Sequence, residues 1–162
     1  MTHWRQRRPS LKYQAMTDDL YSSDVLRLAA DIPRLGTLEA PDARVRKVSR
    51  LCGSELELDL RCETGRVVDL ALRVKACALG QASAAVLARN LLGATVEDVR
   101  SGRDGLKAML KEGAAPPRGR FAELAALEGA RDYPARHQSV MLAFEAALEA
   151  IEATIRPQTL TA

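Results

Sequence analysis

Residues 55–75 read E-L-E-L-D-L-R-C-E-T-G-R-V-V-D-L-A-L-R-V-K, two alternating runs around a glycine turn. In the first run Leu56, Leu58, Leu60 and Cys62 share one face, and Glu55, Glu57, Asp59 and Arg61 share the other. Side chains of an extended chain point alternately up and down, so this is a strand with one buried and one solvated face. Glu63-Thr64-Gly65 supplies the turn, because Gly65 accepts a positive φ at no steric cost. Val68, Leu70, Leu72 and Val74 then alternate back as the antiparallel partner. A two-stranded hairpin is marginal alone and needs a third strand or a helical cover. We place that strand over 44–50, although Val45 and Val48 are spaced by three rather than two.

The rest of the chain reads as helices. Thr17 or Asp18 can cap a helix running to about Ala30, which Pro33 and Gly36 end. Residues 81–92 form an alanine-rich helix stopped by Gly93. Thr95, Glu97 and Asp98 start a short helix, Gly102 and Gly105 interrupt it, and a further helix ends at Gly113. Residues 120–128 give one more, with Phe121, Leu124 and Leu127 on one side. The last helix opens at Pro134 and carries His137, Met141, Phe144, Leu148, Ile151 and Ile155 at intervals of three or four. The expected fold is α+β: a small three-stranded antiparallel sheet, helices on one face of it, and a long C-terminal helix.

With 162 residues there is material for one domain with a real core. We expect it to span 16–156, with a basic, disordered extension or an over-long gene model over 1–15 and a short tail over 157–162. The net charge of +3 comes from that extension: Arg5, Arg7, Arg8 and Lys12 leave the remainder at −1 once removed. A near-neutral body without basic stripes or interleaved aromatics speaks against nucleic-acid binding. There is no run of about 18 apolar residues and no apolar leader region, so neither a membrane span nor a secretory signal is expected. Three cysteines at uneven spacing are not a disulfide framework, which suits reduced thiols in the cytoplasm.

Those cysteines are the candidate chemistry. Cys52 precedes the first hairpin strand and Cys77 follows the second, so the antiparallel return brings both to one end of the sheet. Cys52 lies in Cys-Gly-Ser, where Gly53 allows close approach. Cys77 stands where a helix begins, and the positive end of a helix dipole favours the thiolate. Cys62 shares the leucine face and reads as core. His137 shares the apolar stripe of the last helix and reads as a hydrogen-bonded structural histidine. No glycine-rich phosphate loop, His-Glu-x-x-His or Gly-x-Ser-x-Gly is present, and the cysteine spacing does not match a zinc finger.

Three landmarks resemble the iron–sulfur cluster assembly scaffolds of the NifU N-terminal or IscU type. Cys52-Gly53-Ser54 stands where that family has Cys-Gly-Asp. Ala76-Cys77-Ala78-Leu79-Gly80-Gln81-Ala82-Ser83 resembles the family's Gly-Cys and Ala-Ser helix start. Pro134-Ala135-Arg136-His137-Gln138-Ser139 stands where a proline and a basic residue precede a third cysteine, with Ser139 in the cysteine's place. Ile32-Pro33-Arg34-Leu35-Gly36 is similar to the family's Pro-Arg-Asn turn, and the resemblance covers 17–155.

The resemblance implies a scaffold or carrier rather than a catalyst, on which iron and sulfide assemble as a [2Fe–2S] cluster before transfer to client apo-proteins. It implies a cysteine desulfurase as the sulfur-delivering partner. It carries over Cys52 and Cys77 as thiolate ligands, with Ser54 and Ser139 at the other two positions and His137 one residue before the family's histidine or lysine, now Gln138. Two chains could share one cluster as a homodimer, or His137 could complete a mixed site. Two alternatives follow from the substitutions: a module that kept the fold and binds the desulfurase machinery without a cluster, or a zinc-dependent sulfur-transfer protein.

Overall fold

A computed structural model of the chain describes residues 20–155. The expectations for 1–15, for the tail and for a cap at Thr17 or Asp18 lie outside that range. The described elements run α1 (Ser23–Ala30), β1 (Ala43–Val48), β2 (Glu55–Glu63), β3 (Arg66–Lys75), α2 (Ala78–Asn90), α3 (Val96–Glu112), a 3-10 segment (Gly119–Asp132) and α4 (Pro134–Ile155). Helix α1 starts at Ser22, whose hydroxyl accepts from the Val25 N–H.

The sheet is antiparallel in the order β1-β2-β3. Leu56, Leu58, Leu60, Leu70 and Leu72 are buried on its inner face, as the alternation requires. Each leucine taken fully from water contributes about 1.5–3 kcal/mol. In β1 the inward positions are Ala43, Val45 and Lys47, and Val48 turns to the open face. The spacing of Val45 and Val48 is resolved in this way: only Val45 packs on the core.

The return strand departs from strict alternation. Cys62 pairs with Val67 while Arg61 pairs with Asp69, so Val68 is the extra residue of a β-bulge. The bulge switches the faces: Val67 is buried and Val68 is 40% exposed. Cys62 sits beside this irregularity and is half-buried against the edge of the core. Burial pushes its thiol up, a hydrogen bond with Thr154 pulls it down, and the Asp42 carboxylate adds to the rise.

The outer face is not a uniformly solvated row of acids. Asp59 is completely buried. Residues 34–38 run beside β3, with Gly36 N–H donating to the Leu72 carbonyl at 3.0 Å, and then cross over the sheet. The Leu38 N–H donates to Asp59 at 3.0 Å. Arg44 and Arg73 close over the same carboxylate at 2.7 and 3.0 Å. Burial opposes its ionisation, but these guanidinium and N–H donors outweigh it and hold the carboxyl well below the usual carboxylate range.

All helices lie behind the inner face. Helix α4 is the central one, packing on β1, β2, α2 and α3. Helix α3 is a single helix of 17 residues, not two helices broken at Gly102 and Gly105. Those glycines are there for contact: a Cβ on Gly102 would lie 2.6 Å from the Phe121 ring, and one on Gly105 3.0 Å from Pro117. Thr95 and Asp98 form a reciprocal capping box that fixes its start. The stretch Gly119–Asp132 is 3-10, kinked at Phe121, rather than α-helical over 120–128, and its buried residues Phe121, Leu124, Leu127 and Ala130 recur every third position. Among the described residues no helix is long and apolar enough to cross a membrane.

Candidate functional site

The pairing of Glu55 with Lys75 sets the site. It places the turn before β2 and the residues after β3 at the same end of the sheet. The 49–54 turn is closed by main-chain bonds, Ser49 N–H to the Ser54 carbonyl at 2.7 Å and Gly53 N–H to the Ser49 carbonyl at 2.9 Å. Gly53 takes φ +71°, which a side chain would resist. Cys52 is thereby held exposed on the outside of the turn. Cys77 is the N-cap of α2, with its side chain making no capping bond, so its sulfur is left to face the site.

The first turns of α4 complete the corner. Gly80 lets α4 approach α2: a Cβ there would fall 2.6 Å from Ser139 Oγ. Ser83 Oγ donates to the Val140 carbonyl at 2.7 Å and ties the two helices together. Ser139 is buried at 1% exposure, and Ser54 at 4%.

The side chains form one hydrogen-bonded row. Ser49 Oγ donates to Gln138 Oε1 at 3.0 Å. Cys52 Sγ lies 3.2 Å from Ser49 Oγ and 3.1 Å from Ser54 Oγ. Ser139 Oγ donates to Ser54 Oγ at 3.1 Å, and Cys77 Sγ lies 3.5 Å from Ser139 Oγ. Two thiols distant in sequence are therefore joined through two buried hydroxyls. Burial works against ionising Cys52, but bonds from Ser49, from the Ser54 hydroxyl and N–H and from Ser139 outweigh it and bring the thiol down to about 7. A hydroxyl turns freely, so it can accept from a thiol and donate to a thiolate.

Cys52, Ser54, Cys77 and Ser139 come together here, and His137 does not join them. Its Nε2 lies 2.9 Å from the Ala130 carbonyl and 3.1 Å from the Arg131 carbonyl. Carbonyls only accept, so Nε2 carries the proton and the ring is tied to the end of the 3-10 segment. Cys62 is at the other end of the hairpin. Among the described residues no three His, Cys, Asp or Glu side chains gather in a way that could hold a metal ion. Sequence reading passed over Ser49, which is fully buried and bonded to both Cys52 and Gln138. Its only signal was its place three residues before Cys52.

A three-stranded antiparallel sheet backed by helices, with two thiols at the sheet end, defines an α+β domain with a thiol corner, and similarity places that domain in a family. Residues 20–140 match the family described as the NifU-like N terminal domain, and the chain belongs to that family. It is 29% identical over 140 residues to the iron–sulfur cluster assembly scaffold protein IscU of Thermotoga maritima, covering 85% of this chain and 96% of that one. Among solved structures it is similar to a nitrogen-fixing NifU-like protein, N-terminal part, from Brucella abortus. That match has a TM-score of 0.84 and 45% identity over 86% of this chain and 96% of the other. FiSufU from Fervidobacterium islandicum AW-1 shares the fold, with a TM-score of 0.76 at 18% identity over 83% of this chain and 98% of its own.

Proposed function

We propose that this chain is a scaffold or carrier that receives an iron–sulfur cluster on Cys52 and Cys77 and passes it to recipient apo-proteins. The observation that carries the reading is the pair of thiols, Cys52 exposed and Cys77 half-buried, linked through Ser54 and Ser139 at the end of the sheet. Membership of the NifU-like N-terminal family and likeness to an IscU scaffold support it. The cluster is cargo, so the chain acts without being a catalyst. A cysteine desulfurase is the proposed sulfur source, and the cytoplasm, where thiols stay reduced, the proposed compartment.

The donor chemistry fits iron in kind. Thiolates suit iron and zinc alike, and zinc is the alternative occupant. Metal binding requires deprotonated sulfur, which a thiol brought to about 7 provides at low cost near neutrality. The hydroxyls that stabilise the Cys52 thiolate would give up those bonds as metal arrives, and Cys52 is open to solvent from which a cargo can enter and leave. In number the donors of one chain fall short of the four a [2Fe–2S] cluster takes.

The test is anaerobic reconstitution with ferrous iron and sulfide, read by iron and acid-labile sulfide analysis and the visible charge-transfer spectrum. The wild-type chain should bind both in equal amounts. Cys77→Ala and Cys52→Ala should each lose them, and Cys62→Ala should not. Unchanged iron in Cys77→Ala would sink the reading; zinc without sulfide would replace it with a zinc site.

A further inference from the structure

We infer that Cys52 and Cys77 join in a reversible intramolecular disulfide when a peroxide is present, and that this bond closes the thiol corner to cargo. The bond itself stands on geometry; its effect on cargo rests on the carrier reading above. Both sulfurs meet one hydroxyl. Ser139 is hydrogen-bonded to Cys52, and its Oγ lies 3.5 Å from Cys77 Sγ. The fold gives one sulfur to move and one to stay. Residues 50–53 are exposed in succession, and a Cβ on Gly53 would meet nothing within 4 Å. The turn can therefore swing Cys52 inward at the cost of its side-chain bonds to Ser49, Ser54 and Ser139. Cys77 is held in place: its carbonyl accepts from the Gln81 N–H at 2.9 Å, and α2 is buried at Leu79, at Gly80 and from Ala82 to Ala88. Its sulfur makes no capping bond that a disulfide would break. Cys62 does not compete, because it stands at the opposite end of β2, roughly 20–25 Å away along the strand.

Exposure sets the order of events. Cys52 is exposed, whereas Cys77 and Cys62 are half-buried, so Cys52 meets an oxidant in solution first. The O–O bond of the peroxide breaks; one oxygen goes to the Cys52 sulfur as a sulfenic acid and the other leaves as water. The Cys77 sulfur then attacks the Cys52 sulfur. The S–S bond forms, and the sulfenic oxygen leaves with the Cys77 proton as a second water. Two thiols are oxidised by two electrons and one peroxide is reduced. A dithiol reverses the bond by exchange and becomes a disulfide itself. Disulfides in a reducing compartment are transient and redox-sensing, which suits a bond of this kind. While it lasts, neither sulfur can serve as a thiolate ligand.

The experiment treats the metal-free chain with hydrogen peroxide, alkylates it in denaturant, and reads the intact mass and the cysteine peptides. The expected product is a single chain lighter by two hydrogens, with the Cys52 and Cys77 peptides linked and Cys62 alone alkylated. Dithiothreitol should restore alkylation at all three. Cys77→Ser should stop at the Cys52 sulfenic acid, trapped by dimedone, and Cys62→Ala should form the bond as the wild type does. Cobalt(II), added after the dithiol is removed, then probes the corner. The reduced chain should show the thiolate-to-cobalt charge-transfer band, and the disulfide form should lack it.

Cys52 carried on to a sulfinic acid while Cys77 stays free, or linked to a second chain, would overturn the inference and leave the carrier reading standing. A linked chain that still gives the cobalt band would do the same. A reduced chain that takes neither cobalt nor, with ferrous iron and sulfide, a cluster would overturn the carrier reading and the regulation with it, even where the peptides are linked.

Discussion

Cys52 shows how little of a thiol's character is set by its own residue type. Its sulfur is exposed, yet it touches two serine hydroxyls, one from each end of a six-residue turn. Each hydroxyl accepts from the thiol and can turn its own proton to the sulfur once the thiol ionises, so removing one disfavours the charged form. The rate of Cys52 alkylation by iodoacetamide, measured in a chain with Cys62→Ala and Cys77→Ala, should rise through about pH 7 and level above it. Ser49→Ala should move that midpoint upward, toward the ordinary thiol value of 9.0. A midpoint that ignores Ser49 would show that its hydroxyl only fills space. Cys52 and Cys77 were legible in the sequence because a hairpin must return to its starting edge. Ser49 was not, since a serine in a turn carries no periodicity and its bond to Gln138 spans 89 positions.

Among the elements, the hairpin was read correctly in its inner face and incompletely in its outer one. Period-two alternation reports which side a residue takes, and it is blind to what later covers that side. Asp59 took its expected direction but is roofed by residues 34–38, Arg44 and Arg73. The bulge at Arg61 and Cys62 was hidden for a related reason: either valine of the pair Val67-Val68 satisfies an apolar position. A buried carboxylate among guanidinium groups has a testable consequence. Its folded pKa is depressed, so its contribution is present above the unfolded value, near 4, and is lost as pH falls below it. Asp59→Asn should cost about 2 kcal/mol at pH 7, because it leaves Arg44 and Arg73 facing a neutral amide. Urea titrations at pH 7 and pH 3 would measure it, and the gap between wild type and variant should narrow at the lower pH. An equal gap at both would mean that the charge of Asp59 is irrelevant to the sheet.

At the level of the whole molecule, the site is an end of the core rather than an addition to it. Helix α4 passes the thiol corner in its first turns, with Gln138 and Ser139, and continues largely buried from Val140 to Ile151. The sequence stripe on α4 located one face of it. Burial on its remaining faces was not legible, because Ala143, Ala146, Ala147 and Ala150 are too small to mark a helix as central, although close helix packing depends on them. Phe144 lies at the middle of this arrangement, fully buried and edge-on to Phe121 with ring centroids 5.1 Å apart. Phe121 in turn fills the gap left by Gly102 on α3, so one ring contact joins α3, the 3-10 segment and α4. Phe144→Ala should cost about 3–5 kcal/mol, a large share of the 5–15 kcal/mol that holds a domain of this kind together. Since α4 connects that contact to the corner, the damage should reach the site as a single cooperative loss. Labelling of Cys77 in increasing urea should then show the same lowered midpoint as the helical signal. Two separate midpoints would mean that the thiol corner opens on its own, and that the core does not hold the site in place.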